Sequence, residues 1–93
     1  MIKHIVIYTL KDPANAPRVK ELLESCRNVV PGIVSLEAGI RTEALEANAD
    51  VVLNSVFESK AALDAYQSHP DHLVVRKQIN EWCSARAVVD YEA

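Results

Sequence analysis

The residues best able to do chemistry lie in one short run, Tyr66-Gln67-Ser68-His69-Pro70-Asp71-His72, with a third histidine, His4, near the start of the chain. A neutral imidazole accepts a proton near neutral pH, and a tyrosine hydroxyl can donate to an oxygen that is gaining negative charge. Imidazoles beside a carboxylate also invite a metal ion. The spacing argues against one. HxxH is not the HExxH of zinc proteases, and Pro70 interrupts the helix that would align the two rings. No cysteine, third histidine or carboxylate stands at ligand spacing nearby. No metal is expected here, and His69 is expected to cap the break between two helices.

Periodicity then says which elements must position these groups. Residues 2–10 read as a first strand, with Ile5, Ile7 and Thr9 on one face and His4, Val6, Tyr8 and Leu10 on the other. A lone strand histidine is most simply half-buried, with one ring nitrogen bonded to backbone. Asp12-Pro13 ends the strand, and Pro17 suits the first turn of a helix. Val19, Leu22, Leu23, Cys26, Val29 and Val30 then form one apolar stripe, with Lys20, Glu21, Glu24 and Arg27 on the wet side, until Pro31-Gly32 stops the helix. A second strand is expected over 33–41, a polar loop over 42–49, and a β-branched third strand over 50–58. Ser59 is placed to cap a short helix carrying Leu63 and Tyr66 inward. After the His69-Pro70 break, His72, Val75, Arg76, Ile79, Trp82 and Cys83 share the inner stripe of another helix. A last strand is expected over 86–91. The order β-α-β-β-α-β predicts an α+β, ferredoxin-like fold, a four-stranded antiparallel sheet with helices on one face.

That phase turns Tyr66 and His72 inward from two helices that share one break, so the two can meet over the sheet. His72 is then a candidate base and Tyr66 a candidate oxyanion donor. Both could equally be core residues whose polar tips bond each other or the backbone. The groups expected beside them are His4, Val6 and Tyr8 from the first strand, Leu63 and Val75 from the helices, and Arg86 from the last strand. Arg76 and Arg86 would not suit a long apolar tunnel, and point to a smaller or anionic ligand, or to no ligand at all.

Composition sets outer limits. The 93 residues, 49% apolar and 25% charged, make one domain, residues 1–93. A net charge of −3 gives no reason to expect nucleic acid. Two glycines cannot supply a phosphate-cradling loop, so no nucleotide cofactor is expected. Cys26 and Cys83 form no CxxC and lie on apolar faces, which favours buried structural thiols and a reducing, cytoplasmic setting. The N-terminal MIKHIVIYTLK alternates and lacks a small-residue cleavage site, as a strand does and a signal peptide or membrane span does not.

Both faces of these strands are apolar: Ile5 and Ile7 against Val6 and Leu10, Val52 and Val56 against Val51 and Leu53, Val89 and Tyr91 against Val88. One layer of helices covers one face. The simplest cover for the other is the sheet of a second copy, packed about a two-fold axis, so a homodimer is expected.

KHIVIYTLK, PGI at 31–33, VFES at 56–59, AYQSHPDH at 65–72 and the closing VVDYE at 88–92 together resemble the stress-responsive dimeric A/B barrel (Dabb) family over essentially the whole chain. The resemblance implies a ferredoxin-like protomer whose sheet closes a barrel with its mate's. Most members have no assigned reaction. A plant branch includes a polyketide cyclase acting in a pocket between helices and sheet, and similarity to it places the catalytic histidine on His72, the catalytic tyrosine on Tyr66 and a pocket histidine on His4, with His69 structural. The activity this resemblance implies is that of a cofactor-free cyclase- or isomerase-type enzyme with a small-molecule substrate. A non-catalytic stress-response or ligand-binding dimer is the alternative, and a cofactor-free monooxygenase, as in other α+β barrel families, ranks below both.

Overall fold

The computed structural model describes residues 1–93. The elements are β1 (Ile2–Leu10), a 3-10 turn (Pro13–Asn15), α1 (Ala16–Glu24), β2 (Ile33–Ile40), β3 (Val51–Phe57), α2 (Lys60–Ser68), α3 (Pro70–Trp82) and β4 (Cys83–Glu92). The strands form one antiparallel sheet in the order β2-β3-β1-β4, the ferredoxin-like arrangement. No helix is long and apolar enough to cross a membrane.

Strand alternation decides which face the helices cover. His4, Val6, Tyr8 and Leu10 of β1 and Val51, Leu53, Ser55 and Phe57 of β3 are buried beneath them. Ala16, Val19 and Leu23 of α1, Leu63 and Tyr66 of α2 and Ile79 of α3 close the core from above. On the opposite face Ile7, Val52, Val89 and Tyr91 stay 37–63% exposed. Burying one such side chain is worth roughly 1.5–3 kcal/mol, so an uncovered apolar face is a standing drive for association.

Three expectations need correction. First, α1 ends at Glu24 rather than running to Pro31, because the chain tightens into i→i+3 bonds (Cys26 to Leu23, Arg27 to Glu24, Val29 to Cys26). The Ser25 hydroxyl donates to the Leu22 carbonyl at 2.6 Å, competing for the helix's own acceptors. Cys26 remains buried, and Val29 and Val30 still pack on the core.

Second, Cys83 is the first residue of β4, not the last of the helix, and β4 spans Cys83–Glu92 rather than 86–91. Pairing of Cys83 with Leu10, and the Lys11 N–H bond to the Trp82 carbonyl, pull the chain into the sheet without a loop.

Third, the polar side of α1 is not simply wet. Lys20 Nζ donates to the Ala38 carbonyl at 2.5 Å, the Ala38 N–H donates to Glu24 at 3.3 Å, and Arg27 Nε donates to the Leu36 carbonyl at 3.0 Å. These side chains occupy the outer edge of β2, where free backbone groups would otherwise invite another strand. Lys20 first, and the Ala38 N–H next, hold the Glu24 carboxyl below its ordinary value of 4.5. A carboxyl with a lower pKa folded than unfolded stabilises the fold above the unfolded value, and that contribution is lost as pH falls through the folded one. Glu24→Gln is expected to cost about 1 kcal/mol at neutral pH and to flatten this part of the acid limb. Urea unfolding at a series of acidic to neutral pH values reads both effects, and an unaltered acid limb would contradict the assignment.

Entry to β2 depends on Gly32, whose φ of 91° suits glycine. A Cβ there would also sit 2.7 Å from the Ala62 Cβ of α2. Gly32→Ala is expected to cost roughly 2 kcal/mol, on the order of 10 °C in Tm. An unchanged melting curve would contradict that close approach.

Candidate active site

The break between α2 and α3 forms as its residues require. The Ser59 side chain accepts from the Ala62 N–H and starts α2. His69 is extended (φ −64°, ψ 135°), as a residue before proline should be, and its Nδ1 accepts from the Asp71 N–H at 3.1 Å. His69 is thus the N-cap of α3, as its place beside Pro70 predicts. No group of three or more His, Cys, Asp or Glu side chains is arranged to hold a metal ion.

The break turns Tyr66 and His72 toward each other, with ring centroids 4.3 Å apart. Tyr66 also lies 6.4 Å from the His4 ring in an edge-to-face arrangement and 5.1 Å from Phe57. One tyrosine therefore sits between the two histidines.

His72 Nδ1–H donates to the Gln67 carbonyl at 3.2 Å, and Nε2 has no protein partner. The imidazole is partly buried and lowered from its ordinary 6.5, first by desolvation and further by the charges of Arg76, His4 and Arg86, with the Gln67 carbonyl opposing. The consequence is a neutral ring at pH 7 with a free lone pair on Nε2, which is the state a general base needs.

His4 is 3% exposed, and its Nδ1–H donates to the Asp90 carboxylate, directly across the β1–β4 pair. The expected backbone partner for His4 is thus replaced by a carboxylate. Asp90 is absent from the residues expected at the site; an acid that shares its strand parity with Arg86 and Val88 is the signal that could have found it. Gln67 was missed because its backbone carbonyl, not its side chain, makes the contact.

A small cavity of ≈ 20 Å³ lies between sheet and helices. His4, Tyr8, His72, Val75 and Arg86 are in its wall, as expected from their phase, and Leu23, Leu53 and Ile79 make it apolar below. Arg76 is exposed rather than inward, and reaches the mouth of this space. Val6 and Leu63 do not line it: they lie 0% and 5% exposed in the core behind it. Tyr66 is likewise outside the wall, and its hydroxyl is buried with no hydrogen-bond partner. Burial, and then the neighbouring Cys26 and Tyr8, push that hydroxyl well above its ordinary pKa, so it stays a proton donor. Burial also raises Tyr8, against the nearby Arg86 guanidinium. Desolvation raises the Cys26 and Cys83 thiols, which argues against either as a nucleophile.

The family model for the stress responsive A/B barrel domain matches residues 2–93. The chain belongs to the stress-responsive A/B barrel family. It is similar to the stress-response A/B barrel domain-containing protein HS1 of Arabidopsis thaliana, 29% identical over 77 residues, covering 77% of this chain and 71% of that protein. A second, longer stress-response A/B barrel domain-containing protein of Arabidopsis is 28% identical across the whole of this chain, which spans 37% of that relative's length. Among solved structures, a dimeric ferredoxin-like protein of unknown function from Bacteroides fragilis superimposes with a TM-score of 0.84 at 28% identity, covering 99% of this chain and 95% of that one. The same fold carries the hydroxynitrile lyase of Passiflora edulis, with a TM-score of 0.80 at 20% identity and coverage of 97% and 90%.

Proposed function

We propose that this A/B barrel domain is a homodimeric, cofactor-free proton-transfer enzyme acting on a small carbonyl compound. The observation that carries the reading is His72: neutral, fixed through Nδ1 by the Gln67 carbonyl, and free at Nε2 on a cavity wall. In the step envisaged, Nε2 takes a proton from the carbon next to the carbonyl. The C–H electron pair moves into the carbon framework and the carbonyl oxygen becomes an enolate. Tyr8, in the wall, is the donor available to that oxygen, whereas the buried Tyr66 hydroxyl lies outside the wall. The proton then returns from His72 to carbon or to a leaving oxygen, which covers cyclisation, isomerisation and lyase-type outcomes. The Passiflora neighbour supports a lyase-type reaction on this fold by likeness of fold alone. The test is hydrogen–deuterium exchange at carbon in D2O, followed by proton NMR over a panel of small aldehydes, ketones and oxo acids. Exchange above the buffer rate with at least one compound, abolished in His72→Ala, is expected; exchange unaffected by that substitution contradicts the proposal.

A dimer is proposed on the uncovered apolar face of the sheet, and the dimeric Bacteroides relative supports it. One observation favours a second reading, a non-catalytic ligand-binding dimer: Tyr66, the expected oxyanion donor, does not face the cavity. Native mass spectrometry of freshly purified protein separates the two. A retained small molecule that survives incubation unchanged favours binding, and chemical turnover of added carbonyl compounds favours the enzyme.

A further inference from the structure

The helices cover β1 and β3 but stop short of β4, so Arg86 and Val88 remain exposed even on the helix-facing side of the sheet. The cavity therefore opens between α3 and β4, and two cations stand there. Arg86 reaches it from β4, directly across from Tyr8, and Arg76 from the second turn of α3. Neither guanidinium has a carboxylate within 4.0 Å, although Glu81 lies nearby on α3 and Asp90 on β4. Asp90 is engaged by His4. The cavity wall itself contains no acidic side chain, while Asn80 and Gln67 add further polar groups. In a chain of net charge −3, this opening is a local excess of positive charge.

We propose that the ligand of this cavity carries a carboxylate, held at the mouth by Arg76 and Arg86, with the reacting carbonyl directed inward to His72. The substrate class is a short oxo acid. Two planar guanidiniums suit a carboxylate's paired oxygens, and the narrow interior excludes a bulky acyl chain. Both cations also help to keep His72 neutral, so the same pair that holds the anion prepares the base. The carbonyl half of this assignment rests on the proton-transfer reading; the carboxylate half rests on the arginines alone.

The test uses 4-oxopentanoate and its uncharged amide, titrated separately into wild-type protein and read by NMR at the His72 imidazole and the arginine side chains. The acid is expected to bind roughly tenfold or more tightly than the amide at low salt. Arg76→Met/Arg86→Met should remove the preference by weakening the acid far more than the amide, and Arg76→Lys/Arg86→Lys should keep part of it. If the double variant does not fold, Arg76→Met alone, at an exposed helix position, should still weaken the acid and spare the amide. Failure of wild type to bind the acid, equal affinities for acid and amide, or a preference that survives loss of both guanidiniums overturns the proposal. Deuterium exchange at the probe is followed in the same samples. An intact, arginine-dependent preference without exchange supports the carboxylate site and counts against proton transfer alone.

Discussion

Val89→Asp is expected to leave the protomer folded and to break the dimer. Val89 is 63% exposed on the uncovered face of β4 and pairs with Ile5, so an aspartate there meets water in the isolated chain and costs the fold little. In a two-fold interface the same substitution appears twice, each copy placing an unpaired carboxylate against the partner's apolar sheet. An interface of standard size buries roughly 1,200–2,000 Å², and two uncompensated charges within it should weaken association by ~10³-fold or more. Sedimentation velocity at micromolar concentration should show dimer for wild type and monomer for the variant, with the same far-UV circular dichroism. A wild-type monomer, or a variant that stays dimeric, would show that this face is not the interface.

The second large effect concerns His72. With a carbonyl substrate in hand, His72→Ala is expected to lower turnover by roughly 10²–10⁴-fold, the range for loss of a positioned general base. The side chain is only partly buried, so the variant should remain folded. The wild-type rate should rise with pH as His72 loses its proton, with its half-maximal point below 6.5, because burial and the neighbouring cations depress its pKa. Tyr8→Phe is then expected to lower kcat more than Tyr66→Phe, because Tyr8 stands in the cavity wall and Tyr66 does not. A half-maximal point at markedly higher pH would mean that another group is the base.

Much of the arrangement was legible because period and punctuation agree. The buried face of β1, the Ser59 cap and the His69-Pro70 break all follow from residue type and spacing, and the break is what brings Tyr66 against His72. What the chain did not disclose lies in register and in competition between bonds. Asp90 becomes the partner of His4 only once β1 and β4 pair antiparallel in one register. Helical phase alone carries α1 on to Val30, whereas the Ser25 hydroxyl and the tightened turns end it at Glu24. Phase also puts Leu63 and Val6 on the inward side but cannot tell a cavity wall from the packed core behind it. Arg76 has the inward phase too, yet its long side chain carries the charge out to the mouth.

The proposed chemistry rests on the state of the His72 ring, which can be read without a substrate. Long-range proton–nitrogen correlation spectra of 15N-labelled protein report which imidazole nitrogen carries the proton and at what pH the second one arrives. The expected ring is neutral at pH 7, protonated on Nδ1 toward the Gln67 carbonyl, with Nε2 unprotonated and titrating below 6.5. A ring already cationic at pH 7, or one protonated on Nε2 with its lone pair on Nδ1, would contradict the assignment of His72 as the base.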